Sequence, residues 1–168
     1  ANNSVAYTEK PDMHIFMQEW TALMNSGSGE RGIFNRASAI NTFKELGRST
    51  LDSEGNERII GCNPCGEVFL RPKQACNLSE VIVRPHDTLD TLMEKVESAT
   101  VLGCMQSCLT STKFLDSEWK ANMEEERLLG VSLTGVRDHP ILGKVSQLSS
   151  TWLTIMRDHA HSVASECA

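Results

Sequence analysis

Short apolar stretches alternating with long amphipathic ones predict an α/β fold for this sequence. Three observations carry that expectation. "NLSEVIV" reads as a buried strand, the residues after Pro85 repeat apolar positions at helical spacing, and so does the stretch from Val145 to Val163. With 168 residues, 40% of them hydrophobic, the chain has roughly one domain's worth of sequence and can bury a core.

Residues 11 to 25 are expected to form an amphipathic helix, because Met13, Phe16, Trp20 and Leu23 share a face. The glycine-rich "NSGSGERG" ends it. "GIFNR" reads as a short strand and "ASAINTFKELG" as a helical piece. "DSEGNE" is turn-like, with Gly55 and Asn56 supplying permissive backbone. From Arg58 to Leu70 the apolar pattern is broken by "CNPCGE", which suits an irregular loop or finger between extended segments. Asp87 or Thr88 can cap a long helix whose one side carries Leu89, Leu92, Met93, Val96, Thr100 and Gly103. Another helix begins near Asp116–Ser117 and runs through "EWKANMEEERLL". The last one puts Val145, Leu148, Trp152, Met156, His159 and Val163 on one stripe. Internal repeats, low-complexity tracts and linkers are absent from the sequence.

A formal net charge of −6 argues against nucleic-acid binding, which needs clustered Lys and Arg. No apolar run approaches the ~18 residues of a membrane span, and "ANNSVAYTEKPD" lacks the order of a signal peptide. Six cysteines are sparse for a disulfide scaffold, so they read as reduced thiols of a cytoplasmic protein. The chain has no initiator Met and stops at "HSVASECA" inside a helical pattern, which reads as a piece of a longer protein.

"GCNPCGEVFLRPKQAC" gathers Cys62, Cys65 and Cys76. A thioredoxin-like C-x-x-C pair opens a helix, whereas Pro64 and Gly66 flank Cys65 here and strand-like "EVFL" follows. A zinc site needs a second pair, and the candidate, Cys104 with Cys108, sits inside an amphipathic helix where both read as core residues. The alternative set is Asn63, Cys65 and Glu67, with Cys76 eleven positions after Cys65. In an extended segment, alternate residues share a face, so amide, thiol and carboxylate would project together. A carboxylate beside a thiol suits removal of a proton and a hydrogen from a polyol carbon, and a second thiol can supply reducing equivalents.

"NPCGEVFL…ACNLSEV" resembles the finger loop of ribonucleotide reductase catalytic chains. The "NPCGE" motif and the eleven-residue gap are most similar to the adenosylcobalamin-dependent class, in its monomeric, triphosphate-reducing branch. The resemblance extends through "NNSVAYTEKPD", "GSGERGIFNR", "CNLSEVIVRPHDTLDTL", "RLLGVSLTGVRDHPIL" and "RDHAHSVASECA". It implies that residues 1–168 are the central part of a ten-stranded α/β barrel with a central finger loop, truncated at both ends. It implies radical reduction of ribonucleoside triphosphates to deoxyribonucleotides, with adenosylcobalamin as cofactor, thioredoxin or a similar dithiol as reductant and a dNTP effector. Cys65 would be the thiyl radical that takes the 3′ hydrogen, Glu67 the acceptor of the 3′-hydroxyl proton, and Asn63 a hydrogen-bond partner of the ribose hydroxyls. Cys76 would be one half of a reducing pair whose other half lies upstream, outside the chain. Ser4 or Asn2 would contact the ribose or a phosphate. The phosphate-binding loop and the C-terminal relay cysteines have no counterpart here. The fragment alone is therefore expected to be inactive, and unpaired barrel edges to favour aggregation.

Each residue also has a plainer reading. Asn63 suits turn chemistry, Glu67 a solvated strand face, and Cys76 the core. Cys62 reads as structural. His159 falls on an apolar stripe as a satisfied core residue, His161 faces elsewhere, and "EEER" is a solvated helix face. Two other functions remain open: a small zinc-binding or C-x-x-C module, and a reductase with another radical source.

Overall fold

The computed structural model describes residues 4–29, 31–52 and 54–168. They fall into two units, Ala1–Gln74 and Ala75–Ala168.

The first unit runs β1 (Val5–Tyr7), α1 (Met13–Ser26), β2 (Ile33–Asn35), α2 (Arg36–Glu45), β3 (Gly61–Cys62) and β4 (Phe69–Leu70). β1 and β2 pair in parallel, with Val5 opposite Ile33. β3 and β4 form an antiparallel hairpin, with Gly61 opposite Leu70 and Cys62 opposite Phe69. Asp12 starts α1 by accepting from the His14 amide, and Gly27 ends it at a φ of 60°. Asn35 caps α2 through the Ser38 amide. The core of this unit is small: Ala39 and Phe43 of α2 with Ile60, flanked by Phe34, Ile40 and Phe69.

The stripe predicted on α1 is not a buried one. No residue of that helix is buried, and Met13 and Met24 are 70% and 67% exposed. Phe16 and Trp20 stack on each other at 6.2 Å along the helix surface. The periodicity set the helix, but no apolar layer covers that face.

In the second unit β5 (Asn77–Ile82) and β6 (Leu129–Thr134) pair in parallel along six positions, from Asn77 opposite Leu129 to Ile82 opposite Thr134. Between them in sequence lie α3 (Leu89–Ser107) and α4 (Ser117–Glu126), and α5 (Gln147–Cys167) closes the chain. Val81, Val83, Leu92, Val96, Ala99, Leu142 and Met156 make one core of sheet, α3 and α5. Thr88 caps α3 in a reciprocal arrangement with Thr91, and Asp116 caps α4. On the β5 face away from the core, Leu78 and Ile82 are half exposed, so "NLSEVIV" is a one-sided strand and not a buried one. Val145 and Leu148 are likewise exposed at the start of the α5 stripe.

Asp87 ties the start of α3 to the rest of the unit. Its carboxylate accepts from Lys95 Nζ at 2.6 Å and 2.8 Å and from the Arg84 amide at 2.7 Å. Its carbonyl meets Nε2 of His139 at 3.0 Å. Nδ1 of that ring accepts from the amides of Ile141 and Leu142, so the proton sits on Nε2 and is donated to Asp87. The ring is buried and lies 5.6 Å from Trp152. Gly135, at a φ of 74°, passes so close to Val83 that a Cβ there would stand 2.5 Å from its carbonyl oxygen.

The expected segment of a ten-stranded α/β barrel is not what the structure contains. Among the described residues the strands form three separate two-stranded sheets, and none closes or curls. Strands of two or three residues in β1 to β4 offer too short a ladder to propagate pairing into a wider sheet.

Two outcomes are expected. Leu92 is fully buried beneath β5 and β6, so Leu92→Ala should cost about 2–5 kcal/mol in urea unfolding, whereas Leu78→Ala should cost far less. The Lys95 hydrogen bond, with the Arg84 amide, holds the Asp87 carboxyl below its ordinary 3.8. The unfolded chain binds that proton more readily, so the contribution is complete above about pH 4 and drains away as pH falls through the lower folded value. Asp87→Asn should lower stability at pH 7 and flatten that acid limb in a pH series of melts.

Candidate functional site

The hairpin β3–β4 carries the loop of residues 63–68, and three of the residues singled out in the sequence lie in it. Its base is held from the α2 side. Nε of Arg36 donates to the Ile60 carbonyl at 2.9 Å, and NH1 of Arg48 donates to the Phe69 carbonyl at 3.1 Å. The Arg48 guanidinium also lies 3.8 Å from the centre of the Phe43 ring. Phe69 packs on Phe34 with ring centres 6.0 Å apart, which joins the hairpin to β2. Each strand thus has one guanidinium on a carbonyl next to or within it.

The loop turns at once after Cys62. The Asn63 amide donates to the Val68 carbonyl at 3.2 Å, and the Gly66 amide donates to the Asn63 carbonyl at 3.0 Å. The Asn63 side-chain oxygen accepts from the amides of Gly66 at 3.1 Å and Val68 at 3.3 Å. Gly66 has a φ of 82° with nothing within 4 Å of a Cβ placed there, so backbone conformation and not crowding calls for glycine. Pro64 and Cys65 form the turn itself. Residues 62 to 70 are therefore not helical, as the Pro64–Gly66 interruption implied.

They are not an extended run either. The argument that Asn63, Cys65 and Glu67 share a strand face fails, because a turn has no two-residue alternation. What the structure does bring together is one short loop with Cys65 and Glu67 both exposed and Asn63 beneath them as the turn's acceptor. That geometry can present a thiol and a carboxylate to a partner from solvent. Cys62 is half-buried in β3.

Ser4 is exposed just ahead of β1, and a Cβ at Gly32 would meet its Oγ at 2.9 Å. Asn2 lies outside the described residues. Cys76 belongs to the second unit, where it directly precedes β5, is half-buried, and donates from Sγ to the Asn77 carbonyl at 3.7 Å.

Other sequence readings change. Cys108 is exposed and Cys104 half-buried, so neither is a core residue. His159 is not satisfied: its Nε2 has no hydrogen-bond partner and stands 3.5 Å from Glu97 Oε2. Among the described residues no three of His, Cys, Asp and Glu gather in a way that could hold a metal ion. Among them, too, no helix is long and apolar enough to cross a membrane. The Arg36 and Arg48 clamps had no sequence signal, because both arginines lie far along the chain from the carbonyls they hold.

Comparison with known proteins gives one distant likeness. The chain is 27% identical over 143 residues to an adenosylcobalamin-dependent ribonucleoside-triphosphate reductase of Lacticaseibacillus paracasei, a match spanning 82% of this chain and 17% of that protein. The chain thus spans about a sixth of that relative's length. No protein-family profile and no solved structure matches the chain.

Removing the Asn63 acceptor should loosen this loop specifically. Asn63→Ala is expected to speed amide hydrogen exchange at Gly66 and Val68 roughly fivefold, for about 1 kcal/mol of lost hydrogen bonding. Asn63→Asp keeps an acceptor oxygen and should retain most of the protection.

Proposed function

We propose that this chain is a piece of a ribonucleotide reductase catalytic polypeptide and that the Cys65 loop is its reacting end. The observation that carries the reading is the exposed Cys65 thiol between Asn63 and Glu67, in a chain distantly similar to a ribonucleoside-triphosphate reductase. The reaction is the reduction of ribonucleoside triphosphates to 2′-deoxyribonucleoside triphosphates, a step that ordinary side chains cannot drive unaided.

The chain's donor set fits adenosylcobalamin at its reactive end. That cofactor brings its own chelated cobalt, so no protein metal cluster is needed, and an accessible S–H is the group it must meet. When bound, adenosylcobalamin would supply radical chemistry, and Cys65 is the residue of this chain that would give up its S–H hydrogen to it and carry the unpaired electron.

Within the chain the roles divide by chemistry. Cys65, as a thiyl radical, would remove the ribose 3′ hydrogen, because the S–H bond formed in doing so is weak enough to give that hydrogen back at the end of the cycle. Glu67 would hold the 3′-hydroxyl proton as a carboxylate acceptor. Asn63 keeps the turn closed through its oxygen and would offer its amide N–H to the ribose hydroxyls. Ser4 would contact ribose or phosphate. Cys76 would contribute one of the two electrons needed at the 2′ carbon, with its partner thiol elsewhere in the polypeptide. Thioredoxin or a similar dithiol would restore it, and a dNTP would act as effector.

The test is made in the product of the complete gene. Cys65→Ser should abolish both nucleotide reduction and tritium exchange between cofactor and solvent, since a serine O–H is too strong for the relay. Cys76→Ser should keep exchange and lose reduction. Exchange surviving in the first mutant, or lost in a folded second mutant, would falsify the assignment.

A further inference from the structure

The ends of α3, α4 and α5 enclose a cavity of about 420 Å³ whose wall includes three cysteines, Cys104, Cys108 and Cys167. Half the cysteines of the chain meet there, and none belongs to the Cys65 loop. Cys104 lies on the last turn of α3, Cys108 is that helix's C-terminal cap, and Cys167 is the last residue of α5.

Their surroundings differ. Cys104 and Cys167 line the same cavity, and after burial the Cys167 thiol is the neighbour that acts most on the Cys104 thiol. Cys108 is engaged elsewhere, with NH1 of Arg127 donating to its Sγ at 3.8 Å. Cys167 is exposed to solvent while Cys104 is half-buried behind it. One accessible sulfur backed by a second within reach is the arrangement that thiol–disulfide exchange needs: an attacking thiol and a resolving one.

We propose that Cys104 and Cys167 are a redox-active dithiol that closes to an intrachain disulfide by exchange with a small-molecule disulfide. The thiolate of Cys167 attacks one sulfur of that disulfide and expels the other half as a thiol. The sulfur of Cys104 then attacks Cys167 and releases the second half. Two S–H bonds of the protein give one S–S bond, and the two electrons and two protons leave on the two small thiols. Closure links the ends of α3 and α5 across the cavity. Burial first, and the Cys167 thiol second, hold the Cys104 thiol protonated above its ordinary 9.0, so the resolving step quickens as pH rises.

The test uses the 168-residue chain in mixtures of oxidised and reduced glutathione, quenched by alkylation and digested with trypsin. Cys104 and Cys108 fall in peptide 96–113 and Cys167 in peptide 158–168, so the disulfide joins the two peptides. The joined species should form in the wild type and in Cys108→Ser and be missing from Cys104→Ser and Cys167→Ser. Folded wild-type chain should reach half-oxidation at a glutathione disulfide-to-thiol ratio at least about tenfold lower than chain in urea, because the fold holds the thiols together. That comparison needs no mutant to fold. A bridge between Cys104 and Cys108, a joined species lost in Cys108→Ser, or equal oxidation with and without urea would overturn the proposal.

Discussion

Two arginines reaching back to backbone carbonyls hold the Cys65 loop in place, and the first unit depends on them. A hairpin with two paired residues per strand cannot sustain itself in water. Arg36, the first residue of α2, and Arg48, just beyond its C-terminus, supply one hydrogen bond to the carbonyl of Ile60 and one to that of Phe69. Between those clamps, Phe43 and Ile60 are fully buried and Phe69 packs on Phe34. A charged donor on a neutral carbonyl is among the stronger hydrogen bonds available, and the Phe43 ring beneath Arg48 restricts that guanidinium further. With its base held by these bonds, the hairpin leaves Cys65 exposed at its tip.

The second unit solves the same problem with more apolar surface. Its parallel pair has six positions of ladder, and α3 and α5 cover one face with Leu92, Val96 and Met156. Polar links then fix the entry to α3. Asp87 uses its carboxylate for Lys95 and its carbonyl for His139, so one residue joins the β5–α3 turn to the segment leading into α5. The same packing of α3 on α5 brings Cys104 and Cys167 to the wall of one cavity, which Leu129 of β6 also lines.

Both units leave apolar surface open. Parallel strands are ordinarily covered on both faces, yet Leu78 and Ile82 of β5 stand half exposed, and α1 presents Met13, Met17, Trp20 and Met24 to solvent. These faces explain why the helical and strand periodicities were easy to read while their burial was misjudged. An amphipathic pattern records which residues a face carries, and says nothing about whether a neighbour arrives to cover it.

What the sequence by itself determined is local. Thr88 and Asp116 mark helix starts by offering side-chain acceptors to free amides, and the structure has caps at both. Pro64 and Gly66 excluded a helix through the cysteine motif, since a ring without an N–H and a positive φ both interrupt it. Only the tertiary structure decided the rest. It replaced a shared strand face at Asn63, Cys65 and Glu67 by a turn that Asn63 closes, and it divided the expected barrel segment into separate strand pairs. It also brought Cys167 to the same cavity as Cys104, sixty-three positions earlier in the chain. Contacts between distant residues depend on how helices and strands pack as whole bodies, and no spacing within one segment encodes that packing.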